Sequence, residues 1–491
     1  MDKLAKWRQE INDIDDEIAQ LIEKRFNLSK QIGMYKLANQ IPIAMPNREQ
    51  SIKERLKVKL YGEQLVQIYD KVLNLSKAIQ NSHFFLIGKK LDYSLSPLIH
   101  HLLGNDTYGL MELNNFDSIK KIPFQAINIT NPFKTEAFNW CDEWDEKAKI
   151  TQSVNLLVNK NNRRIGYNTD FGAFLNVLDF YQVDVKNTKV IIIGNGATSR
   201  TISWALRERN CQQIIYLVRE KRHQDEFLLT DFSRFWDFNV IINTTPYGTN
   251  FQDDPSPLFP IEGFRNLKFV FDVVYNPFLT PLLLSAKKRH ILCANGLLML
   301  VSQAAWGLEI VKKEKYLHLV NPIYQQLTSF LRNVVLIGMP YSGKTTLGKS
   351  LGKGLNRAFY DVDDELKKQG NDLPTLLKSS NLETFRKIEA EVTLNLNKKT
   401  SIVLSTGGGI ILNAEVMQKL QQTSIIVFVN TSLIDLVNRL DGSRPLAKTK
   451  DELEKLFIER ISLYHYYADI VVNDDKEAME KINEYLNNQR S

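Results

Sequence analysis

The sequence predicts a multidomain chain with an all-α segment over residues 1–81 and two α/β units, 82–330 and 331–491, with mostly parallel strands. Three observations lead there. Apolar residues at the start recur in alternating steps of three and four. From Phe84 onward, short β-rich apolar runs (HFFLIG, FQAINIT, KVIIIGNG, QIIYLVR, NVIINTT, FVFDVVY) alternate with helical segments. A second such series begins at RNVVLIG and continues through SIVLSTGGG, SIIVFVN and DIVVND. At 491 residues the chain is too long for one core, so two to four domains are expected. The junctions near 81–83 and 329–333 hold no Gly/Ser- or Pro-rich linker, which predicts tightly joined units.

Composition narrows the function classes. The net charge of +7 forms no basic tail or stripe, which argues against nucleic acid and leaves small anionic ligands. No apolar run nears the ~18 residues of a membrane span. The charged, amphipathic N-terminus is no secretory signal. Cys141, Cys211 and Cys293 have neither disulfide nor metal-ligand spacing, so a cytoplasmic setting is expected.

Leu4, Trp7, Ile11, Ile14, Ile18, Leu21, Leu28, Ile32 and Tyr35 mark one face of a long first helix. Two further helices, about 47–60 and 63–80, follow the breaker IPIAMPN. Arg25 interrupts the apolar series. It lies about 25 Å along the helix from Arg8, too far for both to touch one small molecule from one chain. Either they do unrelated jobs or two chains share a site; a salt bridge in a coiled-coil seam is the structural reading of Arg25. With Lys36, Arg48, Glu49, Ser76 and Gln80, these residues resemble the all-helical chorismate mutase family. The resemblance implies a homodimer through the N-terminal helices, with Arg8 borrowed from the partner, and rearrangement of chorismate to prephenate without cofactor. Arg8, Arg25 and Arg48 would pin carboxylates or the ether region. Lys36 and Gln80 would address the ether oxygen, Glu49 the ring hydroxyl, and Ser76 would assist. Met45 stands where many relatives carry Asp. A non-catalytic dimerisation or feedback-sensing module is the alternative for this segment.

In the second unit, KVIIIGNGATSR sets Gly194, Asn195, Gly196, Ala197, Thr198, Ser199 and Arg200 between a strand and a helix, a dinucleotide fingerprint with Ser199 in place of the third glycine. The next strand ends at Arg219, which suits the 2′-phosphate of NADP rather than the ribose of NAD, although Glu220 is adjacent. YSLSP (Ser94, Ser96), NITNPFK (Asn128, Thr130, Lys134), SVNLL…GYNTDFGAF (Asn155, Asp170), DVVYNP (Tyr275) and ANGLLMLVSQAA (Gly296, Gln303) together resemble shikimate dehydrogenase over roughly 84–326. The resemblance implies a substrate part, about 82–185 and 290–330, around an NADP-binding Rossmann part, about 186–289. It implies reduction of 3-dehydroshikimate by NADPH, with Lys134 as acid/base beside Asp170. Ser94 and Ser96 would bind the carboxylate, and Asn128, Thr130, Asn155, Tyr275 and Gln303 the ring. Leu156 stands where the family often has Thr. A quinate-using relative is the alternative for this unit.

In the third unit, GMPYSGKTT matches G-x-x-x-x-G-K-[ST] between a strand and a helix, with Gly338, Ser342, Gly343, Lys344, Thr345 and Thr346 around phosphate. FYDVDDEL (Asp361, Asp363), ETFRKIE (Arg386), STGGG (Gly407, Gly408, Gly409), SRPL (Arg444) and ERISLY (Arg460) complete a pattern that closely resembles shikimate kinase over 333–491. The resemblance implies a P-loop kinase using ATP and Mg²⁺. Asp363 would orient or deprotonate the hydroxyl, Arg386 and Arg460 grip the carboxylate, and Arg444 act from a lid. Thr345 and Asp361 would hold the metal, and Arg439 would stack on adenine. A nucleotide monophosphate kinase is the rival, without the triple glycine. The whole reads as a multifunctional shikimate-pathway enzyme of aromatic amino acid and chorismate biosynthesis. The intact catalytic sets argue against a pseudoenzyme scaffold.

Overall fold

The computed structural model describes residues 3–38, 41, 43, 46–80, 83–91, 94–249, 257–369, 382–442 and 447–487. It divides into two compact units. One comprises Met1–Asp179, Gly196–Glu208 and Met299–Val320; the other comprises Phe180–Asn195, Arg209–Leu298 and Asn321–Ser491.

The first unit starts with three helices, α1 (Lys3–Ala38), α2 (Pro46–Lys57) and α3 (Gly62–Gln80). The periodic apolar residues of α1 do not face a core within the chain. Leu4, Trp7, Ile11, Ile14, Ile18, Leu21, Leu28, Ile32 and Tyr35 are 41–66% exposed. Only the last turns of α1 are buried: Met34 joins the core of the sheet that follows and lies against Gly109. There α1 and α3 touch backbone to backbone, because a Cβ at Gly33 would sit 2.6 Å from the Gln80 carbonyl oxygen.

Next come β1 (Phe84–Gly88), α4 (Ser96–Leu102), β2 (Gly109–Glu112), β3 (Ala126–Ile129), α5 (Lys134–Trp140), β4 (Glu143–Trp144), α6 (Glu146–Thr151), β5 (Leu156–Lys160), β6 (Arg163–Tyr167) and α7 (Thr169–Phe180). The sheet order is β2-β1-β3-β5-β6-β4. β1 pairs in parallel with β2 and β3, whereas the hairpin β5–β6 adds antiparallel to β3. Asp145 caps α6 by accepting from Ala148 N at 2.7 Å.

The second sheet takes β7 (Lys189–Ile193), β8 (Gln213–Val218), β9 (Glu226–Leu228), β10 (Val240–Asn243), β11 (Phe269–Asp272) and β12 (Leu292–Asn295), with α8 (Ala197–Glu208) following β7 and α9 (Pro281–Lys288) preceding β12. Its order β12-β11-β10-β7-β8-β9 is all parallel. That is the doubly wound dinucleotide order, reversing at β7/β10. α10 (Leu297–Lys312) and α11 (Val320–Leu331) follow.

The third sheet begins after a single residue, Arg332, with β13 (Asn333–Ile337). α12 (Lys344–Gly354), β14 (Ala358–Asp361), α13 (Val362–Lys368), α14 (Leu382–Asn397), β15 (Ile402–Ser405), α15 (Ala414–Thr423), β16 (Ser424–Val429), α16 (Leu433–Asn438), α17 (Lys450–Tyr467), β17 (Ile470–Val472) and α18 (Asp475–Asn487) complete the chain. The order β14-β15-β13-β16-β17 is all parallel, and β13 is buried along its whole length, as a central strand covered on both faces requires. Among the described residues no helix is long and apolar enough to cross a membrane.

Gly33→Ala would force α1 and α3 apart at their closest approach. We expect a loss of about 1–3 kcal/mol in unfolding experiments.

Candidate functional sites

On the helices, five of the seven singled-out residues make side-chain contacts that involve the last turns of α3. Arg25 Nη1 donates to Ser76 Oγ, which donates to Val72 O at 2.7 Å. Lys36, 8% exposed, donates from Nζ to Ile43 O at 2.7 Å and to Gln80 Oε1 at 3.4 Å. Glu49 is taken by Lys77 at 3.0 Å, a partner the sequence reading missed. Within the chain, Arg25 is a half-buried cation held by a serine. Arg8 and Arg48 are exposed.

In the first sheet the chemistry gathers around a buried ion pair. Lys134, the first residue of α5, donates from Nζ to Asp170 Oδ2 at 2.5 Å, with both side chains at most 10% exposed. Thr198 Oγ1, at the start of α8, is 3.4 Å from the same ammonium. Asn155 Nδ2 donates to Asp170 Oδ1 and to Thr169 Oγ1, both at 2.9 Å, while its Oδ1 accepts from Thr169 N at 2.8 Å. Asp170 thus has one oxygen on the ammonium and the other on an amide, which fixes its rotamer. Asn128, on β3, accepts from Tyr108 Oη at 2.8 Å and donates to Asn155 O at 3.3 Å. Tyr108 is itself stacked on His100, with ring centroids 3.5 Å apart. His100 and Tyr108 carry no motif, so sequence reasoning passed over them. Ser94 Oγ accepts from Ser96 N at 3.3 Å. Thr130 lies half-buried just past β3. Gln303 turns its amide back to Leu300 O at 2.9 Å on α10.

The dinucleotide fingerprint lies between β7 and α8 as expected. Ser199, in the third glycine's place, is fully buried, and space beside Gly196 is open for a close ligand. Ala197 and Arg200 sit in the first turn of α8, where Arg200 Nη2 donates to Thr135 Oγ1 at 3.1 Å. Asn195 is bound at 3.0 Å to Glu226, whose other oxygen accepts from the N–H groups of Arg222 and His223. Burial raises the Glu226 carboxyl, but these donors hold it below its usual range. Glu226 therefore fixes the loop after β8, on which Arg219, Glu220, Lys221 and Arg222 are all exposed. Tyr275 is half-buried, and Gly296 closes on the Val273 carbonyl oxygen.

In the third sheet, Gly343, at φ +90°, caps α12, and Lys344 Nζ donates to the loop carbonyls of Gly338 at 2.9 Å and Met339 at 2.8 Å. Ser342 Oγ is 3.4 Å from the same ammonium, and Thr346 is exposed on α12. Thr345 Oγ1 donates to Asp361 Oδ2 at 2.8 Å, and Asp361 Oδ1 accepts from Asp363 N at 3.0 Å. Arg439 Nη1 reaches Tyr341 O in the loop at 3.4 Å. The triple glycine is explained by two side chains. A Cβ on Gly407 would sit 2.1 Å from Glu389 Oε1, and one on Gly409 2.0 Å from the Arg386 guanidinium. Arg386 Nη1 donates to Glu389 Oε2 at 2.6 Å. Burial raises the Glu389 carboxyl, with Arg386 pulling the other way. Glu389 was missed in the sequence; its place three residues after Arg386 is the signal that could have found it. Arg460 Nη1 and Tyr464 Oη both donate to Gly408 O, at 3.2 and 2.5 Å. Arg444 lies outside the described residues.

Three family models match in chain order: chorismate mutase type II over residues 7–81, shikimate dehydrogenase substrate binding domain over 86–157, and shikimate kinase over 340–489. The NADP(+) shikimate dehydrogenase of Caldanaerobacter subterraneus subsp. tengcongensis is 31% identical over 250 residues, 46% of this chain and 89% of that protein. The Pelagibacter ubique enzyme of the same name is 32% identical, over 45% of this chain and 89% of that protein. A solved chorismate mutase/shikimate 5-dehydrogenase fusion protein from Clostridium acetobutylicum is 28% identical, covers 50% of this chain and 97% of that one, and has a TM-score of 0.46. The chain belongs to the shikimate dehydrogenase family and carries chorismate mutase and shikimate kinase domains at its two ends.

One buried group, His100, makes the stability of this sheet depend on pH. Burial lowers the His100 imidazole to about 3 from 6.5. A depressed histidine contributes stability that is complete above pH 6.5 and is lost as pH falls toward 3, about 2 kcal/mol of it by pH 5. The expected result is that His100→Phe, which keeps the stack on Tyr108, flattens the fall in melting temperature between pH 7 and 5.

Proposed function

We propose that this member of the shikimate dehydrogenase family runs three reactions on one chain. It reduces 3-dehydroshikimate to shikimate, phosphorylates shikimate on its 3-hydroxyl with ATP, and rearranges chorismate to prephenate. The observation that carries the proposal is the buried Lys134–Asp170 pair, bracketed by Asn155, Asn128 and Thr198.

In the dehydrogenase, NADPH supplies the hydride when bound, and the exposed cations at Arg219, Lys221 and Arg222 suit its 2′-phosphate. Lys134 gives its proton to the carbonyl oxygen as that oxygen becomes an alkoxide. Asp170 holds the ammonium in place and accepts from the same hydroxyl. Ser94 and Ser96 take the carboxylate; Thr130, Tyr275 and Gln303 orient the ring. The serines, the buried pair and the asparagines favour shikimate over quinate only through the family resemblance.

In the kinase, Lys344 moves from loop carbonyls to the β/γ-phosphates, and the N–H groups of Gly343, Lys344 and Thr345 meet phosphate at the start of α12. The paired oxygens of Thr345 and Asp361 fit a hard cation such as Mg²⁺. Thr345 and Asp361 would hold that ion, and its charge would offset that of the phosphates. Asp363 accepts from the reacting hydroxyl, Arg386 and Arg460 bind the carboxylate, and Arg444 would cover the transferring group.

On the helices, Arg25, Lys36, Gln80 and Ser76 supply a polar pocket for chorismate, with Arg48 at its exposed edge. The exposed stripe of α1 supports a homodimer, since burying each Leu or Ile is worth about 1.5–3 kcal/mol. The second chain would then contribute Arg8. We also propose the divisions 1–81, 82–330 and 331–491 as functional units, working in the cytoplasm, where the three free cysteines would stay reduced.

Assays of the purified full-length protein test this directly. Lys134→Ala is expected to cut dehydrogenase kcat about 10²–10⁴-fold, leaving kinase and mutase rates intact; parallel loss of all three would instead mean misfolding. Chelation by EDTA is expected to silence the kinase alone. Equal mixing of inactive Arg8→Ala and Arg25→Ala proteins, after exchange of subunits, is expected to restore about a quarter of the mutase activity, because half the dimers carry one intact shared site. No restoration would mean that Arg8 acts within its own chain or not at all.

A further inference from the structure

A cavity of about 790 Å³ lies within the second unit, between the edge of the dinucleotide sheet and the kinase sheet. One wall is α9 and β12; α11 supplies another; the ends of α15 and α17 and the face of α18 complete it. None of the residues assigned above to substrate, nucleotide or metal lines it. Its size falls in the range of small-molecule sites and far exceeds the share of a single water.

The lining has a definite chemistry. Lys287, Lys288 and Arg332 face it, with Asp469 as the one carboxylate among the lining residues. Asp469 is already committed: Oδ1 takes Lys287 at 2.5 Å, and Oδ2 takes Ile426 N at 3.0 Å. Arg332 approaches that carboxylate to 4.0 Å and donates from Nη2 to Ser424 O at 3.2 Å, while its buried Nε has no hydrogen-bond partner. Gln421 lines the same cavity, and its Oε1 is likewise buried and without a partner. A buried polar atom left without a partner costs stability, and two such atoms, one donor and one acceptor, belong to residues that line this cavity. The remaining wall is largely apolar and aromatic, with His290, His465, Asn295 and Thr328 as its other polar residues. The Arg332 guanidinium lies between the Phe278 and Tyr485 rings, 5.0 and 5.1 Å from their centroids, and Lys288 stands 5.7 Å over Tyr466.

We propose that this cavity is a binding site for a small organic anion that carries an apolar ring. Its carboxylate takes Arg332 and Lys288, and its ring packs against Phe278 and Tyr466. A cation is disfavoured by two uncompensated positive charges, and a purely inorganic anion leaves the aromatic wall wet. The occupant touches residues on both sides of the α11–β13 junction, so it binds only where dehydrogenase and kinase parts are joined.

Calorimetric titration of the full chain, with shikimate saturating the substrate sites, tests this with benzoate as the probe and benzylamine and inorganic phosphate as controls. Benzoate is expected to bind at about 1 mM or tighter, as suits so small a ligand, with neither control binding. Lys288→Glu and Tyr466→Ala alter exposed residues outside the catalytic machinery, and each is expected to weaken benzoate at least about tenfold while dehydrogenase and kinase rates persist. The proposal is overturned if benzoate gives no saturable heat up to solubility, if benzylamine or phosphate binds as well, if saturating shikimate displaces it, or if both variants bind it as the parent does.

Discussion

Parallel strand pairing is the constraint on which the rest of this protein depends. β7 lies between β8 and β10, and β13 between β15 and β16, all running the same way. Residues remote in sequence are therefore delivered to the same end of each sheet. The phosphate loop follows β13, Asp361 ends β14 and the triple glycine follows β15, so all three meet without any long excursion of the chain. The first sheet breaks the rule once, and usefully. Because β5 runs antiparallel to β3, Asn128 pairs with Leu156 in register, which brings Asn155 beside Asn128 and within reach of Asp170.

Within that frame the buried charges serve placement rather than stability. Lys134–Asp170, Arg386–Glu389 and Lys287–Asp469 each remove charge from water, and a pair of this kind seldom recovers its desolvation cost outright. Each is held in one geometry by further hydrogen bonds. Asp170 is tied by Asn155 and Asp469 by Ile426 N, while Glu389 lies against Gly407, where a side chain would collide with it. Many of the surface pairs, such as Lys387–Glu383, join exposed groups and contribute little.

What the sequence disclosed, it disclosed locally. The phosphate loop, the dinucleotide fingerprint and NITNPFK place several functional groups within a few residues, so their spacing carries the geometry. The strands at β1, β3, β7, β8, β10 and β11 were legible as continuous apolar runs. The hairpin β5–β6 and the short strands β2, β9 and β12 were not, since their half-exposed or brief sequences lack that signature. Glu389, Glu226, Lys77 and His100 were invisible for a different reason: each acts through a contact made only after folding. The apolar stripe of α1 was read correctly as a periodic face, yet period alone does not say whether the face meets its own chain or another.

The seam between α11 and β13 has a consequence for how such a chain can be assembled by recombination. Helix and strand are separated by Arg332 alone, and Arg357, within the kinase, donates to Arg332 O and to the Ser329 carbonyl and hydroxyl oxygens at 2.7–3.0 Å. A crossover at the start of the strand would strip a buried guanidinium of its acceptors. The heritable kinase module therefore begins a helix earlier than its catalytic fold: a graft that carries α11 along keeps its charges satisfied, and one that starts at Asn333 does not.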